Sequence, residues 1–149
     1  MSDPTPNDPT PTVVVSTGPD GYRTEVTTTH GTEQRSHTII ADVPPSKNGN
    51  DDGPSPHDLL LGSLGACKAM TAKMYADRKG WPLERIAVAL VHHEPDTPNG
   101  PQRITAELQF EGDLSEDQRD RLAAIAERCP VQKAITGELA VESSVVANA

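Results

Sequence analysis

The sequence predicts an α+β fold, and three observations predict it. Three β-prone segments lie between residues 13 and 43, a long proline-capped apolar stretch follows Ser55, and strands and short helices share the second half of the 149 residues. The expected element order is β-β-β-α-β-β-α-α-β.

Residues 13–17 (VVVST) are a mostly β-branched run that stops at the turn Gly18-Pro19-Asp20-Gly21. Residues 22–29 (YRTEVTTT) alternate weakly, which predicts a hairpin, and 37–43 (HTIIADV) form a third strand. Residues 44–54 are loop by composition, rich in Gly, Asn, Asp and Pro. Ser55-Pro56-His57-Asp58 then opens a helix: Ser55 caps it, Pro56 suits its first position, and Asp58 completes a capping box. The helix runs to Lys79 and stops at Gly80. Its first half is apolar on most sides, which predicts a central helix.

Residues 86–92 and 104–110 read as strands, the second alternating cleanly with Ile104, Ala106, Leu108 and Phe110 on one face. Ser115 to Gln118 is a second capping box, opening a helix with the apolar stripe Leu122, Ile125 and Ala126. Pro130 begins a short third helix closed by Gly137, and residues 138–146 (ELAVESSVV) are expected as a last strand.

Residues 1–11 (MSDPTPNDPTP) have nothing apolar to bury after Met1 and read as a disordered tail, leaving 12–149 as a single domain. The start lacks the basic and apolar regions of a signal peptide. No later stretch approaches the roughly 20 apolar residues of a membrane helix. A soluble, cytoplasmic protein is therefore expected. A formal charge of −9 and 3% aromatic residues argue against nucleic acid, which needs clustered cations and stacking surfaces.

The chain has two cysteines, Cys67 and Cys129. A reducing compartment disfavours a structural disulfide. Inert buried thiols, metal ligands, a catalytic thiol and a reversible redox pair all remain, and spacing does not choose among them. Helical phase places Leu60, Ser63, Leu64, Met70, Thr71 and Met74 on the face of Cys67. That pattern fits a core cysteine, and equally a thiol at the base of an apolar pocket. Cys67 lies about three turns into its helix, so the helix dipole gives its thiolate little help. Cys129 stands just before Pro130, where backbone N–H groups at the start of the third helix favour a thiolate. Five histidines are present (His30, His37, His57, His92, His93), but neither CxxC nor HExxH occurs, and no metal is expected. There is no GxSxG elbow for serine chemistry.

Two segments, GPSPHDLLLGSLGACKAMTAKMYADRKGWPLE and ERCPVQKAITGEL, resemble the OsmC/Ohr family of hydroperoxide-reducing proteins, over a span from about Asp42 onward. The first segment is more similar to the OsmC-like branch. The resemblance implies an intertwined homodimer with two long central helices wrapped by β-sheets, and a thiol peroxidase without a cofactor. In that scheme the thiolate matching Cys67 attacks an organic hydroperoxide and becomes a sulfenic acid. The residue matching Cys129 condenses with it to a disulfide, and an external dithiol reduces the product. The apolar residues Leu60, Leu64, Met70 and Met74 would line a pocket for an alkyl or lipid peroxide.

The family supports its thiolate with an Arg and a Glu. Here the Glu position holds His57, followed by Asp58, and Arg23 is the nearest arginine to the expected hairpin position. His57 precedes Cys67 by roughly 15 Å of helix at about 1.5 Å per residue. A composite site is therefore expected, with both cysteines from one subunit and Arg23, His57 and Asp58 from the other. Two other readings stand beside the peroxidase: a non-catalytic member of the fold binding a small apolar ligand between subunits, and a redox sensor.

Overall fold

Ser55 and Ser115 each start a helix by the same exchange of hydrogen bonds. In the computed structural model, which describes residues 12–29 and 35–146, Ser55 Oγ accepts from the Asp58 N–H at 3.2 Å and Asp58 Oδ2 accepts from the Ser55 N–H at 3.1 Å. This cap opens α1, Pro56–Lys79. Ser115 and Gln118 repeat the exchange at 3.1 and 2.9 Å to open α2, Glu116–Ala126. α1 ends where expected: Gly80 takes a positive φ of 68°, and the N–H groups of Gly80 and Trp81 close on the carbonyls of Asp77 and Ala76. The third helix, α3, is Pro130–Thr136. The expected tail at 1–11 and His30 lie outside the described residues.

β1 (Val13–Thr17), β2 (Thr24–Thr28) and β3 (His37–Ala41) form an antiparallel sheet in that order, with Val15 opposite Val26 and Val26 opposite Ile39. The loop that follows turns on a short 3-10 helix, Pro45–Lys47, and on Asn48 in the left-handed region. It folds back on the buried carboxylate of Asp42, which accepts from the N–H groups of Val43 at 2.7 Å and Asp52 at 3.1 Å. Those N–H groups, Val43 foremost, hold Asp42 below the ordinary carboxylate range.

β4 (Leu83–His93) and β5 (Arg103–Gly112) form a second antiparallel sheet, with Val88 opposite Leu108 and a register irregularity between Leu83 and Arg85. The residues cluster into two compact units whose boundary falls at Leu59 and Leu60, inside α1. In the second unit the core joins Ala72 and Ala76 of α1, Leu83 and Phe110 of the sheet, Leu114, and Leu122 and Ala126 of α2. The stripe foreseen on α2 is thus the buried one, with Ile125 as its third member. Arg121 Nε donates to Tyr75 Oη at 3.1 Å and ties α2 to α1. The fold is α+β, with three α-helices and two antiparallel sheets among the described residues.

One expectation needs correction. Residues 138–146 form no strand, and Leu139, Val141, Val145 and Val146 are exposed. A strand exists only by pairing, and this segment takes no ladder partner within the described chain. Within one copy, the buried residues of α1 are Leu64, Gly65, Lys68, Ala72 and Ala76, a single stripe. The face carrying Leu60, Met70 and Met74 is open. No helix among the described residues is long and apolar enough to cross a membrane.

Candidate functional site

Where α2 ends, the chain cannot continue as helix into a proline, so it extends for one residue. That residue is Cys129, with φ −64° and ψ 137°, and Pro130 takes the first position of α3. The geometry foreseen from sequence is present: Cys129 Sγ accepts from the backbone N–H of Gln132 at 3.3 Å. Its net electrostatic consequence is the reverse of the expectation. Cys129 is completely buried. Burial pushes its thiol above the ordinary value; the Gln132 N–H pulls it down, the neighbouring Cys67 pushes it further up, and the Lys68 ammonium pulls it down. Desolvation outweighs the cap, so Cys129 is a protonated thiol at neutral pH.

Cys67 is half-buried on the flank of α1 and near enough to Cys129 to help push the Cys129 thiol up. Both thiols are free. The fold therefore brings together two cysteines that lie far apart in sequence.

The neighbouring Lys68 is a site residue that the sequence reading missed. Its side chain is only 4% exposed, although lysine is rarely buried without a partner. Lys68 Nζ donates to Glu127 Oε1 at 2.8 Å, and Glu127, 58% exposed, accepts from Gln132 Nε2 at 2.8 Å on its other oxygen. The Lys68 hydrogen bond, then that of Gln132, holds Glu127 below the ordinary carboxylate range. A continuous set of polar contacts thus runs from Lys68 through Glu127 and Gln132 to Cys129. The signal was available: Lys68 lies in phase with Leu64, Ala72 and Ala76, a single charge within a buried stripe.

The other foreseen residues divide. Leu64 points inward and is buried, whereas Leu60, Met70 and Met74 are exposed, the two methionines at 60% and 63%. Ser63 is exposed, with its hydroxyl donating to the Leu60 carbonyl, and Thr71 is partly buried. Met70 and Met74 border a shallow depression with Lys73 and Arg85. Asp58 serves first as the cap of its own helix; the Ser55 N–H, then its hydroxyl, hold the carboxyl below its usual range. Arg23 lies 3.9 Å from Asp52 Oδ2, with both side chains about half exposed. His57 is exposed on the first turn of α1. His92 and His93 have different partners, Gln102 at 2.8 Å and Thr105 at 2.9 Å. No group of His, Cys, Asp and Glu suited to a metal occurs among the described residues.

The model of the OsmC-like protein family matches residues 49–144, which include both cysteines, Lys68 and Glu127. Comparison with curated proteins found no match. Several solved structures share the fold. One is described as an osmotic stress induced and detoxification response protein from Psychrobacter arcticus, with TM-score 0.69, 23% identity, and coverage of 84% of this chain and 88% of that one. An OsmC-like protein from Mycoplasma pneumoniae gives 0.68 at 19% identity, covering 87% and 89%. An organic hydroperoxide resistance protein from Legionella pneumophila gives 0.60 at 20% identity, covering 86% and 91%.

Proposed function

This chain belongs to the OsmC-like family, and on that premise we propose that it is a two-cysteine thiol peroxidase for organic hydroperoxides. The observation that carries the reading is a pair of free thiols that act on one another in unlike environments, Cys67 half-buried and Cys129 wholly buried. Cys67 is the nucleophile. Its sulfur attacks the O–O bond of the hydroperoxide, the S–O bond forms as the O–O bond breaks, and the alkoxide leaves as the alcohol. Cys129, kept protonated by burial, does not compete for this first step and acts second. It closes a Cys67–Cys129 disulfide, and an external dithiol restores both thiols. The relatives named for hydroperoxide resistance support this reading at the level of their fold.

The protein acts as a homodimer in this proposal. The open face of α1, the exposed Val13–Val15 edge of β1 and the unpaired segment 138–146 are the apolar and backbone surfaces that a second copy would cover. Arg23, His57 and Asp58 of that copy would support the thiols, and Leu60, Leu64, Met70 and Met74 would bound the peroxide pocket. The ligand-binding alternative draws support from an apolar cavity of about 560 Å3 in the first unit, lined by Val15, Tyr22, Val26, Val43, Pro56 and Leu59.

Stopped-flow oxidation with an alkyl hydroperoxide separates these readings. Cys67→Ser is expected to abolish turnover, and Cys129→Ser to accept one oxidation equivalent and stop. A wild-type Cys67 that reacts no faster than a free thiol would leave the non-catalytic reading standing.

A further inference from the structure

Lys68 is the one buried cation among the described residues. Tying α1 to the end of α2 does not require burying it, because an exposed lysine forms the same ion pair at lower desolvation cost. Its position has a second consequence. The ammonium is linked to Cys129 through Glu127, which it contacts, and Gln132, which contacts both Glu127 and Cys129 Sγ, and its charge acts on that thiol. Resting on the peroxidase reading, we propose that Lys68 is a positioning residue for the second chemical step, holding positive charge where Cys129 Sγ becomes a thiolate.

The groups acting on Cys129 come from each surrounding helix: Cys67 and Lys68 from α1, and the Gln132 N–H from α3. Glu127, at the end of α2, faces Lys68. After hydroperoxide has converted Cys67 to a sulfenic acid, Cys129 loses its proton and its sulfur lone pair forms the S–S bond. The S–O bond breaks, and the departing hydroxide gains a proton to become water. Lys68 lowers the cost of the ionised intermediate without exchanging atoms. Glu127 tempers that field and keeps the ammonium from turning to solvent.

Two substitutions separate an electrostatic role from a structural clamp. Lys68→Met removes the charge, and the rate of disulfide formation at neutral pH is expected to fall about tenfold, with its pH profile moving up by about one unit. The sulfenic acid should persist long enough to be trapped by dimedone. Glu127→Gln keeps an acceptor for Lys68 but removes the countercharge, so its profile should move down. Lys68→Arg should restore most of the rate. A clamp predicts that Lys68→Met and Glu127→Gln move the rate in the same direction, and that result, or no change in either, overturns the proposal.

A measurement without peroxide distinguishes this failure from failure of the peroxidase reading. In a Cys67→Ser background, ultraviolet thiolate absorbance titrates Cys129 directly. Lys68→Met should raise the midpoint and Glu127→Gln lower it. Midpoints that coincide with the parent overturn the role of Lys68 whatever the enzyme does with hydroperoxides.

Discussion

Removing either partner of the Lys68–Glu127 pair is expected to have very different effects on stability. Glu127→Ala leaves the buried ammonium without its carboxylate. Breaking a buried pair in this way costs about 3–5 kcal/mol, but Glu127 is more than half exposed and water replaces part of what is lost, so about 2–3 kcal/mol is expected. For a chain of this size that corresponds to a melting temperature lower by roughly 5–10 °C. Lys68→Met instead places an apolar side chain in the buried stripe of Leu64, Ala72 and Ala76 and leaves Glu127 to solvent, a change expected to stay within about 1 kcal/mol. Urea unfolding of the reduced protein measures both. A Lys68→Met variant as unstable as Glu127→Ala would refute the reasoning, since the cost would then lie in packing and not in the stranded charge.

Two further outcomes follow from single residues. The Cys129 thiol is held above its ordinary value of 9.0, so the stability contributed by its burial is present below about pH 9 and lost as pH rises beyond it. Reduced wild type should therefore lose more stability than Cys129→Ala over that rise, and equal slopes in a pH series of urea midpoints would contradict the assignment. Gly112 has φ of 136°, and a Cβ there would lie 2.1 Å from the Pro82 carbonyl oxygen. Gly112→Ala should cost about 2–4 kcal/mol, because a backbone atom cannot step aside; a neutral result by thermal unfolding would show that this end of the β4–β5 ladder is arranged differently.

Local chemistry was legible in the sequence. Ser55 with Asp58, Ser115 with Gln118, Pro130 and Gly80 act on residues within one turn of themselves, so the bounds of α1 and the starts of α2 and α3 follow without tertiary information. The alternation of β5 likewise marked Phe110 as a core residue. Residues 138–146 have the composition of a strand, yet pairing is a relation between segments and composition does not supply the partner. Helical phase puts Met70 and Met74 on the Cys67 face of α1. Phase gives the face, but only packing decides which face is covered, and here both are exposed.

Fold class, family resemblance and the position of Cys129 at the start of α3 are all readable along the chain, because each rests on neighbouring residues or on a motif. It takes the packed fold to set Cys67 acting on Cys129, to let burial outweigh the helix cap there, and to bury the charge of Lys68 near that thiol. The physical reason is one of range. A cap or a turn acts through a few adjacent bonds, whereas desolvation and the field of a buried ammonium depend on everything packed around a group, which the order of residues does not state.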